Sequence, residues 1–139
     1  MAVQTRTLSL QTRGRGHILD ITSEVARAVR ESKMGDGVAT LFVPGSTASV
    51  TTMEFEPGLV RDMAGLFERL APSGEEYAHH ETGGDDNGAS HLRASLLGPS
   101  LTVPFAGGRL VLGTWQQIVF IDHDTRPRSR EVVVQVMGE

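Results

Sequence analysis

The chain has 139 residues, the size of one ordinary domain. Hydrophobic residues make up 39% and charged residues 22%, a balance that excludes a disordered chain, and a net charge of −4 argues against general nucleic-acid binding. With no cysteine, thiol catalysis, disulfides and Cys-ligated zinc are excluded.

A cysteine-free chain fits a reducing cytoplasm, which is the expected location. The first ten residues alternate polar and apolar types. They lack the basic and apolar regions of a signal peptide. No apolar run approaches the roughly 20 residues that cross a bilayer, so no membrane partner is expected.

In chain order, Val3 to Leu10 alternates and predicts a strand. Arg13-Gly14-Arg15-Gly16 reads as a turn, and His17 to Ile21 as a short second strand. Thr22 or Ser23 is placed to cap a helix ending near Ser32, with Ile21, Val25, Ala28 and Val29 as its apolar stripe. Val38 to Val43 and Ala48 to Glu54 read as strands broken by Pro44-Gly45. Pro57 suits the first turn of a helix whose stripe is Leu59, Met63, Leu66, Phe67 and Leu70.

Glu75 to Gly88 carries acids, histidines and glycines and reads as a long polar loop. A short helix over 89–97 follows, with Ser90 as its expected cap and Gly98-Pro99 as its stop. The rest is β: Ser100 to Phe105, Arg109 to Leu112, Gln117 to Asp122 and Glu131 to Met137. Pro127 argues against a regular central strand at its own position. The predicted fold is one α+β domain, with helices inserted among mostly antiparallel strands.

Residues 79–93 hold three of the five histidines and the pair Asp85-Asp86. Histidine with carboxylate suits a divalent metal or proton transfer. The same residues also suit a solvated loop whose acids favour the next helix N-terminus. Ser90-His91-Leu92-Arg93 offers free amides and a guanidinium to a phosphate, or simply a capped polar turn. Ser46 and Thr47 lie in a small-residue turn that fits an anion nest, although a plain polar turn fits equally. Thr114, Trp115 and Gln116 combine a stacking ring with hydrogen-bonding neighbours, the ring serving equally as core or interface. Glu54 follows a strand, as base, metal ligand or spacer. Arg126, Arg128 and Arg130 share one face of an extended segment. They suit phosphate, RNA or salt bridges, and the net charge of −4 disfavours RNA.

The stretches from Gly45 to Leu59, Asp86 to Gly98, Gly108 to Ile118 and Val132 to Glu139 together resemble the YjbQ-like family, also called the secondary thiamine-phosphate synthase family. The resemblance spans nearly the whole chain. It implies a mostly antiparallel β-sandwich-like core with helices packed on one side, assembled as a homotrimer with sites near subunit boundaries. It also implies a weak thiamine-phosphate-synthase-type activity on a small phosphorylated heterocycle, with release of diphosphate. A divalent metal ion makes chemical sense for that reaction.

Carried over by position, the resemblance makes His91, Glu54 and Asp86 the catalytic candidates. Ser46, Thr47, Asn87, Arg93, Thr114, Trp115 and Gln116 become the ligand-binding set, with His91 and His79 as candidate metal ligands. Many relatives have histidine where this chain has Gly45, and a subgroup has one where it has Ala89. The missing histidines support a second reading: a non-catalytic ligand-binding or structural homotrimer that keeps the fold without the full site.

Overall fold

The computed structural model describes residues 1–139. Eight strands and four helices follow one another as β1 (Ala2–Thr12), β2 (His17–Asp20), α1 (Thr22–Ser32), β3 (Gly37–Phe42), β4 (Ala48–Met53), α2 (Pro57–Leu70), α3 (Ala78–Gly83), α4 (Gly88–Leu97), β5 (Ser100–Ala106), β6 (Arg109–Leu110), β7 (Gln117–Asp122) and β8 (Arg128–Gly138). They build two sheets. One has five strands in the order β1-β8-β3-β5-β6, the other three in the order β2-β7-β4. Every strand pair is antiparallel. The expected α+β sandwich-like architecture is what the chain adopts.

The period-2 pattern of β8 sets the inner face of the larger sheet. Val132, Val134 and Val136 are fully buried, while Glu131 and Gln135 are exposed. They pack with Ala39, Leu41, Val103 and Phe105 against Val50, Ile118 and Phe120 of the smaller sheet. Val25, Ala28 and Val29 of α1 complete this core, as their spacing predicts. Each such Val, Ile or Phe is worth roughly 1.5–3 kcal/mol of burial.

The central strand β7 is buried on both faces, which explains its unbroken apolar run. Its second face, with Val119 and Ile121, meets Phe67 of α2, and Val60, Met63 and Leu97 pack around them. The α2 stripe is therefore rotated from the expected one. Leu66 and Leu70 point outward, because the sheet meets the helix along Val60, Met63 and Phe67.

Local signals set the helix ends with some corrections. Glu56 accepts hydrogen bonds from the N–H groups of Gly58 and Leu59, both at 2.8 Å, and Pro57 opens α2. Neither Thr22 nor Ser23 caps α1; the Asp20 carboxylate instead accepts from Thr22 N–H and Oγ1–H. Ser90 does not cap α4. The helix starts at Gly88, whose N–H donates to His80 Nε2 at 3.0 Å. The expected 75–88 loop contains α3. Tyr77 secures it by donating its hydroxyl to the Pro72 carbonyl. The strand expected to Leu112 ends at Leu110.

Candidate functional site

At the C-terminal end of β7 the apolar run stops at Asp122-His123-Asp124, and all three side chains are buried. Burying two carboxylates is costly unless they are paired. The pairing comes from the arginine-rich return into β8. Arg130 binds Asp122 through Nε (2.8 Å to Oδ2) and Nη2 (2.9 Å to Oδ1), and Arg128 Nη2 lies 2.7 Å from Asp124 Oδ2. Thr12 adds a hydroxyl to Asp122 at 2.6 Å.

Thr47 donates to Asp124 Oδ2 at 3.2 Å and accepts from Arg130 at 2.7 Å, and Asn87 Nδ2 donates to Asp124 Oδ1 at 3.4 Å. Burial by itself would raise both carboxyl groups. The Arg130 and Thr12 bonds hold Asp122 below its ordinary value. The Thr125 and Asn87 N–H groups, Arg128 and Thr47 do the same for Asp124. Two of the three arginines read as candidate phosphate or RNA contacts are thus internal ion-pair partners.

His123 sits inside this network, 3% exposed. Its Nε2 shares a hydrogen bond of 2.8 Å with Ser49 Oγ, and its ring meets Phe67 edge-on at 5.0 Å. Burial, then the nearby Arg93, lowers its pKa to about 4, so the imidazole is neutral at pH 7. Its Nδ1 is buried without a partner, as is Asn87 Oδ1.

Of these residues, Asn87, His123 and Asp124 form one wall of a cleft of about 590 Å³, completed by Arg15, Glu68, residues 73–76, His80, Asp86, Ala89, Ser90, Arg93 and Thr125. Ala89 is the one apolar residue on that wall. Such a surface fits a polar or charged small molecule and offers little to an apolar one.

The structure divides the sequence-predicted residues into three groups. Asp86, Asn87, Arg93 and buried Thr47 belong to the cleft or its supporting network, with exposed Ser46 beside Thr47. Arg93 donates from Nε and Nη2 to the Ala71 carbonyl and from Nη2 to Glu68 at 2.9 Å, so it ties α4 to the end of α2. Glu54, Thr114, Trp115 and Gln116 lie at the other end of β7. There Gln116 donates to Thr52, and Trp115 is 73% exposed. Five steps along a strand separate the two ends by roughly 17 Å.

His91 and His79 form the third group, with ring centroids 4.6 Å apart and outside the cleft wall. No three His, Asp or Glu side chains converge on one point in the chain. A closed zinc site takes about four ligands and a catalytic one about three from protein, so the His79–His91 pair does not fit a resident metal within one chain.

Sequence reasoning missed His123 and Asp124, and placed Ser49 only at the end of the small-residue turn, not as a partner of a histidine. The available signal was Asp-His-Asp closing an apolar strand, followed by arginines at alternate positions.

The family model described as UPF0047 protein YjbQ-like matches residues 6–139. A UPF0047 protein of Archaeoglobus fulgidus is 42% identical over 130 residues, covering 94% of this chain and 98% of the relative. One from Methanothermobacter thermautotrophicus is 39% identical over 139 residues, covering 100% of this chain and 95% of the relative. A crystal structure from Sulfolobus solfataricus superposes with a TM-score of 0.94 at 30% identity, covering 99% of each chain. One from Aeropyrum pernix gives 0.91 at 33% identity, covering 98% of this chain and 99% of the other. The sandwich and its helices are therefore those of the UPF0047, or YjbQ-like, family, to which this chain belongs.

Proposed function

We propose that the cleft binds a small phosphorylated heterocycle, and that the chain is a weak transferase of the thiamine-phosphate-synthase type. The observation that carries the reading is the pair of unpartnered buried atoms, Asn87 Oδ1 and His123 Nδ1, on the wall of a polar cleft that also holds Arg15 and the first turn of α4. Buried polar atoms are normally satisfied, so a ligand or a water bound to one is expected there.

In the proposed reaction a ring nitrogen of one heterocycle attacks the carbon bearing diphosphate on the other. The C–N bond forms, the C–O bond breaks, and its electron pair leaves with diphosphate. Cleft N–H donors receive the growing negative charge. Neutral His123 serves as a hydrogen-bonding group, not as a cation. In this reading His123 replaces His91 as the histidine that meets the ligand, because His123 lies on the cleft wall. No step is routed through a metal.

A homotrimer belongs to the same proposal. The outer face of the five-stranded sheet carries Val3, Phe42 and Met137 on one side, 53%, 48% and 40% exposed. Such a surface suits a second copy of the chain.

Incubation with an aminopyrimidine diphosphate and a thiazole phosphate, with chromatography of the product, tests the reading. Condensation that is lost in His123→Gln supports it. Binding without turnover supports instead the non-catalytic trimer, which Ala89 on the cleft wall and near-complete burial of His123 favour. Absence of binding overturns both.

A further inference from the structure

The cleft wall holds two arginines, and they differ in what they have left to give. Arg93 is neutralised by Glu68 at 2.9 Å and uses Nε and Nη2 on protein acceptors. Arg15 is not neutralised. Its Nε donates to the Thr125 carbonyl at 3.2 Å, which orients the guanidinium, and no carboxylate pairs with it. Arg15 is thus the cleft arginine with both terminal nitrogens free.

Its backbone is also unusual. Arg15 has φ 54°, between Gly14 at 71° and Gly16 at 83°. Left-handed residues in succession are glycine territory, and a side chain there is strained. The turn has no room to relax: Arg15 N–H donates to the Asp124 carbonyl at 2.6 Å, and Gly16 N–H to that of Asp122 at 2.7 Å. Strain at a cleft wall is a lead to function, and here it presents a free cation to the cavity. Separately, Asn87 and His123 are more than nine-tenths buried, and each holds an unpartnered polar atom on the same wall.

We propose that Arg15 is a ligand-contacting residue whose terminal guanidinium nitrogens bind the phosphate or diphosphate group of the cleft's ligand. This rests on the reading that the cleft takes a phosphorylated molecule. It also narrows the ligand class. Glu75, Glu76 and Asp86 are exposed carboxylates on the same cleft. A purely anionic ligand would satisfy Arg15 but face those acids. A molecule with phosphate at one end and an amino or cationic ring group at the other answers both charges.

The test is calorimetric titration of an aminopyrimidine diphosphate, which carries both kinds of group, into the wild type, Arg15→Gln, Arg15→Lys and Arg15→Gly, with a melting curve for each. The wild type is expected to bind in a salt-sensitive way. Arg15→Gln and Arg15→Gly are expected to bind at least about tenfold more weakly, with Arg15→Lys between. Arg15→Gly is expected to melt no lower than the wild type, because it relieves the left-handed residue. Wild-type binding matched within about twofold by Arg15→Gln would overturn the assignment and leave the cleft reading standing. Affinity lost only in step with melting temperature would make Arg15 structural and also overturn it. Failure of the wild type to bind the aminopyrimidine diphosphate would remove the cleft reading and Arg15 with it.

Discussion

Asp122 and Arg130 meet in a two-pronged ion pair, 2.8 and 2.9 Å long, and the Asp122 side chain has no exposed surface. The pair joins the end of β7 to the start of β8 and holds the floor of the strand-end network. Arg130→Ala leaves Asp122 charged and buried. We expect a loss of about 3–5 kcal/mol in urea unfolding. Replacing both partners by apolar residues of similar volume should recover much of that loss, because no lone buried charge then remains.

His123 makes stability depend on pH in a defined window. Its folded value, about 4, lies below the ordinary histidine value, so the unfolded chain binds the proton more readily. Stability is therefore full above about pH 6.5 and falls as the pH drops toward 4, by about 3 kcal/mol in all. Asp122 and Asp124, also held low, add their loss at lower pH, below the ordinary carboxylate range. Urea midpoints from pH 7.5 to 4.5 should slope for the wild type and slope clearly less for His123→Gln, where burial of His17, also held low, keeps part of the dependence. Equal slopes would contradict this account.

Gly14 has φ 71°, and an added Cβ would collide with the Arg126 carbonyl. The contact is with backbone atoms, which cannot swing aside as the end of a side chain can. Gly14→Ala should cost at least about 2 kcal/mol by chemical denaturation. Gly74, with open space around its Cβ position and no positive φ, serves as the control and should tolerate alanine.

Arg93 stabilises the end of α2 by donating to the Ala71 carbonyl while paired with Glu68. Lysine lacks the fork that makes these bonds together. Arg93→Lys should therefore destabilise by about 1–2 kcal/mol, read as a shift in urea midpoint. Glu68→Gln should cost less than Arg93→Lys, because its side of the pair is exposed.

The outer sheet face predicts the response of the assembly. If copies of the chain meet there, Phe42→Asp with Met137→Asp places charge on an apolar interface. Light scattering should then report the monomer mass in place of a trimer. A trimer that persists would move the interface elsewhere.

The family and most of the elements were legible in local patterns, whereas α3 within the expected 75–88 loop was not. Val25, Ala28 and Val29 announced the buried side of α1, Pro57 announced the start of α2, and alternation announced β8. These signals lie within a few residues of one another, where spacing decides which side chains share a face. Composition also drew attention to residues 79–93. Helix geometry then separated them. Asn87, Ser90 and Arg93 follow one another on the cleft side of α4, while His91, about 100° around from Ser90, turns to His79.

The site depends on contacts between distant parts of the chain. His123 became a neutral buried group because Ser49, 74 residues away in sequence, reaches it from the paired strand and Phe67 and Arg93 close over it from two helices. The tertiary structure also parted Glu54 and Trp115 from the cleft by the length of β7. Burial and charge pairing of this kind depend on which strand ends meet, and antiparallel pairing fixes that across long separations that no local pattern encodes.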